Sequence, residues 1–108
     1  MAVKKIDKKE WMVYFDTFSK KFLKDKQPEY AEIRVMSNDI GVQQETRWSP
    51  LKGISYDPKD DILDINVERL NRMILHPKEI YVDQEEDGWV TSIEVIEADG
   101  TKDIIEIR

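Results

Sequence analysis

Residues 62–68 have the sequence Ile-Leu-Asp-Ile-Asn-Val-Glu, in which apolar and polar side chains alternate from Leu63 to Glu68. Successive side chains of a β-strand point to opposite faces, so this segment predicts a strand with one buried and one solvated face. The preceding Asp57-Pro58-Lys59-Asp60 has the composition of a type I turn, with Pro at its second position. Residues 53–57, before that turn, carry Ile54 and Tyr56 at alternate positions. The whole stretch therefore predicts an antiparallel hairpin.

Similar alternation predicts further strands on both sides of this hairpin, at residues 30–37, 42–49, 80–85, 89–97 and 102–108. Asn38-Asp39-Ile40-Gly41 supplies turn-forming residues between the first two of these strands, and Pro50 is expected to end their pairing. Asp99-Gly100 lies between the last two, and this dipeptide is among the strongest short hairpin signals. The pattern after residue 29 therefore predicts a mainly antiparallel sheet.

Residues 69–75 interrupt the alternation. Leu70, Met73 and Ile74 lie at helical spacing, which predicts a short helix or turn. It should end before His76-Pro77, because proline disfavours the helical conformation of its predecessor. His76 is then expected at the carboxyl end of this helix, where an imidazole interacts favourably with the last carbonyl groups.

The N-terminal part of the chain predicts one amphipathic helix over residues 7–23. Asp7 and Glu10 have the spacing of a capping box, and Pro28 helps to end the helical pattern. Four aromatic residues recur at steps of four, three and four and share one face of the helix: Trp11, Phe15, Phe18 and Phe22. These four are expected to be buried in the core, with Lys9, Lys20 and Lys24 on the solvent side.

These elements predict an α+β fold, in which the N-terminal helix packs on a mainly antiparallel sheet of about six to seven strands. A helix about 10 Å across covers only about two strands spaced about 4.8 Å apart. The sheet is therefore expected to curl strongly around the helix, to the point of a small, partly closed barrel. The length of 108 residues and the lack of a linker predict a single domain, 1–108.

The composition excludes several classes of function. The chain contains no Cys, which rules out disulfides, thiolate catalysis and Cys-ligated metal sites. No apolar run is long enough for a membrane span, and a cytoplasmic protein without a membrane partner is expected. Residues 1–26 contain eight Lys and four acidic residues, whereas the rest contains nine basic and nineteen acidic residues. This asymmetry predicts attraction between the basic helix and the acidic sheet, with an anionic partner for the helix as the alternative. The acidic sheet predicts that the protein does not bind nucleic acid.

Three segments follow one another along the chain: 53–61 (Gly-Ile-Ser-Tyr-Asp-Pro-Lys-Asp-Asp), 76–83 (His-Pro-Lys-Glu-Ile-Tyr-Val-Asp) and the closing Asp99-Gly100-Thr101 turn. With these segments the chain resembles the bacterial domain of unknown function 5335, from about Trp11 to the C-terminus. The resemblance implies a stand-alone bacterial protein of about this size. It carries over no catalytic residues, because the family has no assigned activity.

No motif in the chain predicts a catalytic, metal or cofactor site. The densest acidic cluster consists of Asp57, Asp60, Asp61 and Asp64, but its spacing does not match an EF-hand, and a turn between strands explains it better. His76 is the only histidine; Asp83 is the nearby residue that would orient it as a base, but no activated nucleophile accompanies it. The glycines are isolated, which excludes a phosphate-binding loop.

The remaining prediction is a non-enzymatic binding or interaction module, acting through a protein surface or a homo-oligomer contact. Trp48, Tyr81 and Trp89 are candidate residues of that surface, because they are more large rings than the hairpins require. The alternative is a small-ligand-binding protein or a hydrolase that uses clustered carboxylates in a pocket of the sheet.

Overall fold

The computed structural model of the chain describes residues 2–22, 29–37, 41–68, 70–86 and 88–108, and leaves out the side chains of residues 2, 22 and 42–47. Strand β1 (Ala2–Ile6) is followed by a 3-10 turn (Lys8–Glu10) and helix α1 (Trp11–Phe22). The remaining elements are all strands: β2 (Tyr30–Ser37), β3 (Gly41–Asp57), β4 (Ile62–Val67), β5 (Leu70–Leu75), β6 (Pro77–Gln84), β7 (Val90–Glu97) and β8 (Lys102–Ile107).

The strands form an antiparallel sheet in the order β1-β6-β7-β8-β2-β3-β4-β5. This confirms the predicted combination of one N-terminal helix with an antiparallel sheet. The described residues contain eight strands rather than six or seven. One strand precedes the helix, another replaces the predicted short helix or turn, and two predicted strands are joined into β3. The sheet is not closed, since β1 and β5 lie at opposite ends of the strand order.

The prediction of a short helix over residues 69–75 is wrong, because residues 70–75 form strand β5. In β5 the two faces do not follow the rule of apolar residues inside and polar residues outside. Charged Arg72 lies on the inner face beside buried Ile74, while apolar Met73 and Leu75 are exposed on the outer face. This arrangement hides the alternation from a hydrophobicity pattern. The role assigned to His76 is therefore also wrong, since no helix ends there. His76 instead turns the chain directly from β5 into β6, with φ of 55°.

Strand β3 joins the two predicted strands 42–49 and 53–57 into one continuous element. Its first part pairs with β2 as far as Tyr30 opposite Pro50, and its second part pairs with β4 from Leu51 onwards. Pro50 thus ends the pairing with β2, as predicted, but the strand continues. A register irregularity between Leu51 and Gly53 lies just after this exchange of partners.

Helix α1 packs its aromatic face into the core. Trp11, Phe15 and Phe18 are buried, as predicted, while the side chain of Phe22 and all of residues 23–28 lie outside the described residues. The Trp11 indole N–H donates a hydrogen bond to the Ile6 carbonyl at 2.9 Å. The predicted capping box does not form, because the Asp7 side chain makes no capping hydrogen bond.

The helix also covers a backbone edge of the sheet. The Ser19 hydroxyl donates to the Ile54 carbonyl at 2.9 Å and accepts from the Ile54 N–H at 3.2 Å. Both groups belong to the part of β3 that has left β2, so one hydroxyl satisfies two backbone groups there. This contact fixes α1 against β3.

The predicted turns of two hairpins are confirmed. Asp57 accepts a hydrogen bond from the Lys59 N–H at 2.9 Å in the β3–β4 turn. Asp99 accepts one from the Thr101 N–H at 2.9 Å in the β7–β8 turn, where Gly100 has φ of 91°. That conformation strains any residue with a Cβ, which is why glycine occupies it. The predicted turn at residues 38–40 lies outside the described residues.

Candidate functional site

A cluster of three charged side chains lies inside the sheet, between β5 and the β7–β8 hairpin. We call Arg72, Glu97 and Asp103 the acid-pair cluster. The Arg72 Nη2 atom lies 2.8 Å from Asp103 Oδ1 and 3.4 Å from Glu97 Oε2, and Arg72 Nε lies 3.2 Å from Asp103 Oδ1. Because one nitrogen contacts both carboxyl groups, the cluster holds two acids around a single cation.

The sheet register explains why these three residues meet. Asp103 is fully buried, and it stands opposite Val35 of β2 on one side and Val95 of β7 on the other. Glu97 follows Val95 by two residues, so it belongs to the same inner face of β7. Arg72 occupies the inner face of β5, opposite Ile65 of β4. Each member therefore takes a position that an apolar residue holds elsewhere on its strand.

The electrostatics of the acid-pair cluster are unusual. Burial, together with the hydrogen bond and the negative charge of Asp103, raises the pKa of Glu97 to about 8 against the opposing effect of Arg72. The neutral carboxylic acid is favoured because a second negative charge would lie beside Asp103 in a region with little water. A carboxyl pair with separated protonation states is the arrangement used in general acid and base chemistry.

Two cavities in the described part of the chain lie away from this cluster. A groove of about 280 Å³ is lined by residues of α1, β3 and β4: Asp16, Ser19, Lys20, Gly53, Ile54, Ser55, Asp64 and Asn66. A second cavity, of about 130 Å³, lies beside Tyr14, Phe18 and Gln84. Neither is lined by a member of the acid-pair cluster. The geometry therefore gives the acid pair a role in holding elements together, with no adjoining space in these cavities for a substrate.

The groove between α1 and the β3–β4 hairpin, here called the helix groove, is polar. Asp64 contributes a buried Oδ1 atom that has no hydrogen-bond partner among the residues the structure describes. Asp16 and Lys20 lie on the helix side, and Ser55 and Asn66 lie on the strand side. These groups offer hydrogen bonds and both signs of charge to a small polar ligand.

The predicted acidic cluster of residues 57–64 is divided between separate contacts. Asp61 accepts a hydrogen bond from the Tyr56 hydroxyl at 2.5 Å and lies 3.3 Å from Lys8 Nζ. The Tyr56 hydroxyl is the main cause that lowers the pKa of Asp61. Within the described ranges, no group of three or more His, Asp or Glu side chains has an arrangement that could hold a metal ion.

His76 lies at the surface of the β5–β6 turn. Its Nδ1 atom is 3.3 Å from Asp61 Oδ2, so the acid beside it is Asp61, whereas the sequence pointed to Asp83. Asp83 lies in β6 opposite Ser92 of β7, and its Oδ1 atom is buried without a partner in the described part of the chain. The contacts of His76 are those of an exposed turn residue.

The three aromatic residues proposed from the sequence lie on different parts of the sheet. Tyr81 is in β6, half-buried, and donates a hydrogen bond to Glu79 at 2.7 Å. Trp89 immediately precedes β7, in the hairpin that joins β6 to β7, and is half-buried. Trp48 is in β3, where the Arg108 guanidinium lies 4.0 Å from its ring centroid. Strands β8 and β2 separate Trp48 from the β6–β7 hairpin that carries Tyr81 and Trp89.

Sequence reasoning missed two features, the acid-pair cluster and the surface of β5. The position of Asp103 could have predicted the cluster from the sequence. The alternation of β8 places Asp103 on the same buried face as Ile105 and Ile107, where a carboxylate needs a partner. On β5, Met73 is 52% exposed and Leu75 is 56% exposed, and both point away from the core at adjacent same-face positions. The assignment of a helix to this segment concealed that pair.

None of the helices in the described residues is long and apolar enough to cross a membrane.

Comparison with known proteins identifies the family of the chain and a bacterial relative. The family model described as "Family of unknown function (DUF5335)" matches residues 2–108. A protein of Aquifex aeolicus (strain VF5), described as an uncharacterized protein, is 45% identical over 109 residues, which cover 100% of this chain and 94% of that protein. No solved structure matches the chain. With a family match over nearly its whole length and a bacterial relative of similar size, the chain belongs to the bacterial family of unknown function DUF5335.

Proposed function

We propose that the protein is a non-enzymatic interaction module that associates with a second copy of itself through strand β5. The observation that carries the proposal is the exposure of Met73 and Leu75 on an edge strand of an open sheet. An edge strand presents backbone N–H and C=O groups that can pair with another strand. When its side chains are also apolar, pairing removes both kinds of surface from water.

The two edges of the sheet differ in the way expected for one protected and one binding edge. Strand β1 carries Lys4 and Lys5, which hinder pairing with another strand, since lysines on an edge are a common protection against association. Strand β5 carries a single charged residue, Arg72, and its guanidinium faces inward to Asp103. The outer face of β5 therefore presents no charge that would oppose a second β5.

A second copy is a suitable partner because β5 can pair with itself about a two-fold axis. In an antiparallel pairing centred on Met73, the two Met73 side chains face each other and Leu75 faces Asn71 of the second copy. Exposed Glu68 at one end of β5 then approaches the end of the other β5, where His76 and Lys78 lie. This arrangement places the exposed apolar side chains against one another and brings opposite charges together.

We also infer that the sheet curls strongly around α1, as a partly closed barrel. The support is the contact of Arg72 with Asp103, since β5 and β8 lie four places apart in the strand order but touch through their inner faces. Strong curling leaves β1 and β5 as the two edges of the barrel. The predicted surface of Trp48, Tyr81 and Trp89 stays a prediction, separate from the β5 edge.

The test is sedimentation velocity over a concentration series from about 1 to 500 µM, since self-association depends on concentration. The wild-type protein is compared with a variant carrying Met73→Lys and Leu75→Lys. The matched control is Val3→Lys, because Val3 is a 68% exposed apolar residue on the other edge strand. We expect dimers for the wild type and the control, and monomers for the double variant. A wild type that stays monomeric throughout, or a control that dissociates equally, would refute the proposal.

A second candidate function is the binding of a small polar ligand in the helix groove. The observation that favours it is the buried and unpartnered Asp64 Oδ1 atom in the wall of a groove of about 280 Å³. Ligand-observed NMR with a panel of small amines, amino acids and sugars tests it, with Asp64→Asn as the variant. Binding that disappears in this variant supports the candidate, and no binding from any compound counts against it.

A further inference from the structure

The acid-pair cluster joins parts of the chain that are distant in sequence. Arg72 and Asp103 are 31 residues apart, and their contact ties the edge strand β5 to the β7–β8 hairpin. Glu97 is the last residue of β7, beside the hairpin turn, and its side chain is 18% exposed. The cluster therefore has one fully buried acid, one acid near the surface and one shared cation.

One carboxylate oxygen of Asp103 lacks a hydrogen-bond donor in this arrangement. Its Oδ1 atom accepts from Arg72, but its Oδ2 atom is buried and has no hydrogen-bond partner among the described residues other than the neighbouring Glu97 carboxyl group. A buried carboxylate oxygen without a donor is costly, and two adjacent carboxylates repel each other. One proton on Glu97 removes both problems, because a carboxylic acid O–H can donate to Oδ2.

We propose that Glu97 and Asp103 share one proton at neutral pH, and that this protonated pair, held by Arg72, is a pH-sensitive latch between β5 and the β7–β8 hairpin. Burial and the neighbouring acid raise the pKa of Glu97 to about 8, which agrees with this geometry. The inference goes beyond the proposed self-association and does not rest on it.

The charged groups around Glu97 determine what its ionisation does. Arg72 faces it from β5, Asp103 faces it from β8, and Asp99 in the hairpin turn adds a further negative charge. The register neighbour on β6 is Pro77, which does not titrate. Lys102 pairs with Glu94, and the alternation of the strands places both on the outer face.

Ionised Glu97 therefore meets two negative charges and must share one guanidinium with a buried acid. Asp103 cannot leave, because it is fully buried between Val35 of β2 and Val95 of β7, whereas Glu97 is next to solvent. The carboxylate of Glu97 consequently swings outward above its pKa and gives up its contact with Asp103. The contact between Arg72 and Asp103 remains, whereas the contact between Arg72 and Glu97 is lost. Strand β5 therefore loses one of its two connections to the hairpin.

The direct test is a carbon-13 NMR titration of the Glu97 side-chain carboxyl group in the wild-type protein. The signal is assigned by its absence in Glu97→Gln. We expect a titration midpoint near pH 8, several units above the value of about 4.3 for an ordinary Glu. A midpoint between about pH 4 and 5 would overturn the proposal.

The second test is urea unfolding at pH 5.5 and pH 9, at protein concentrations where the wild type is monomeric. The native Glu97 holds a proton that the unfolded chain releases above about pH 4.3, so wild-type stability falls as the pH rises towards about 8. Glu97→Gln supplies a permanent N–H donor to Asp103 and should lose less of its urea midpoint over the same range.

Glu94→Gln is the matched control, since Glu94 lies on the outer face of the same strand and pairs with Lys102. It should keep the wild-type loss of midpoint. Equal losses in Glu97→Gln and the wild type would overturn the latch. Because the samples are monomeric, these outcomes are independent of the self-association experiment.

Discussion

Replacing Arg72 by Met removes the guanidinium that pairs with the buried carboxylate of Asp103. Removing one partner of a buried ion pair typically costs about 3 to 5 kcal/mol, because the remaining charge stays buried without compensation. Asp103 is fully buried and accepts two hydrogen bonds from Arg72, so we expect a loss within this range at pH 7. For a small domain this corresponds to a fall in Tm of at least roughly 10 °C.

The magnitude is tested by urea unfolding of a double-mutant cycle. Arg72→Met is compared with Asp103→Leu and with the variant that carries both changes. The double variant should recover most of the loss, since apolar residues of similar size often replace a buried ion pair at little cost. We expect a coupling energy of about 2 to 3 kcal/mol between the two positions. A loss below about 1 kcal/mol for Arg72→Met, or a double variant less stable than both single variants, would refute the reasoning.

Three further predictions concern the helix, the stability of the protein at acidic pH and the effect of metal ions. Phe18→Ala should lower the free energy of unfolding in urea by about 3 to 5 kcal/mol, as for other buried Phe residues. Val13→Ala, on the exposed side of the helix, should change it little. Equal effects of the two substitutions would contradict the orientation of the helix. Asp61 has a lowered pKa, because the Tyr56 hydroxyl donates to it, so it stabilises the native state above about pH 4 and loses that effect as the pH falls. Asp61→Asn should therefore show a shallower loss of Tm below pH 4, and an unchanged slope would argue against it. Millimolar calcium or magnesium should leave the Tm unchanged, since Asp57 and Asp61 are engaged in separate contacts. A rise of several degrees would reveal a site.

The sequence predicted the elements whose burial follows from local pattern. Phe15 and Phe18 are buried as their helical spacing indicates, and Leu63 and Ile65 are buried as the alternation in β4 indicates. The β7–β8 turn followed from Asp99-Gly100, because its backbone conformation requires glycine. In these segments, local preference and tertiary packing agree.

The elements that were missed depend on contacts between distant residues. Arg72 occupies an inner position of β5 only because Asp103 compensates its charge, and no local pattern shows that pairing. With Arg72 inside, the apolar Met73 falls outside, and the segment has the spacing of a short helix. Strand β1 was missed for a related reason: exposed Val3 and the two following lysines do not alternate in a recognisable way.

The candidate site was even less accessible from sequence. Glu97 and Asp103 become an acid pair only when the hairpin and β5 place one guanidinium between them. The sequence drew attention instead to the acidic residues 57–64, whose density reflects a turn and its neighbouring strand. Proximity in sequence was therefore a poor guide to proximity of charge in this fold.

The central claim, that β5 mediates self-association, is tested most directly by hydrogen exchange of backbone amides at low and high protein concentration. An amide gains protection when it pairs with a strand of a second molecule. The β5 amides that face away from β4 are those of Asn71, Met73 and Leu75, because the His76 N–H bonds back to Asp61 and hydrogen-bonded pairs alternate along the ladder. We predict that these three amides exchange more slowly as the concentration rises, while those of Ala2–Ile6 on the other edge are unaffected. Exchange of the β5 amides that is independent of concentration would contradict it.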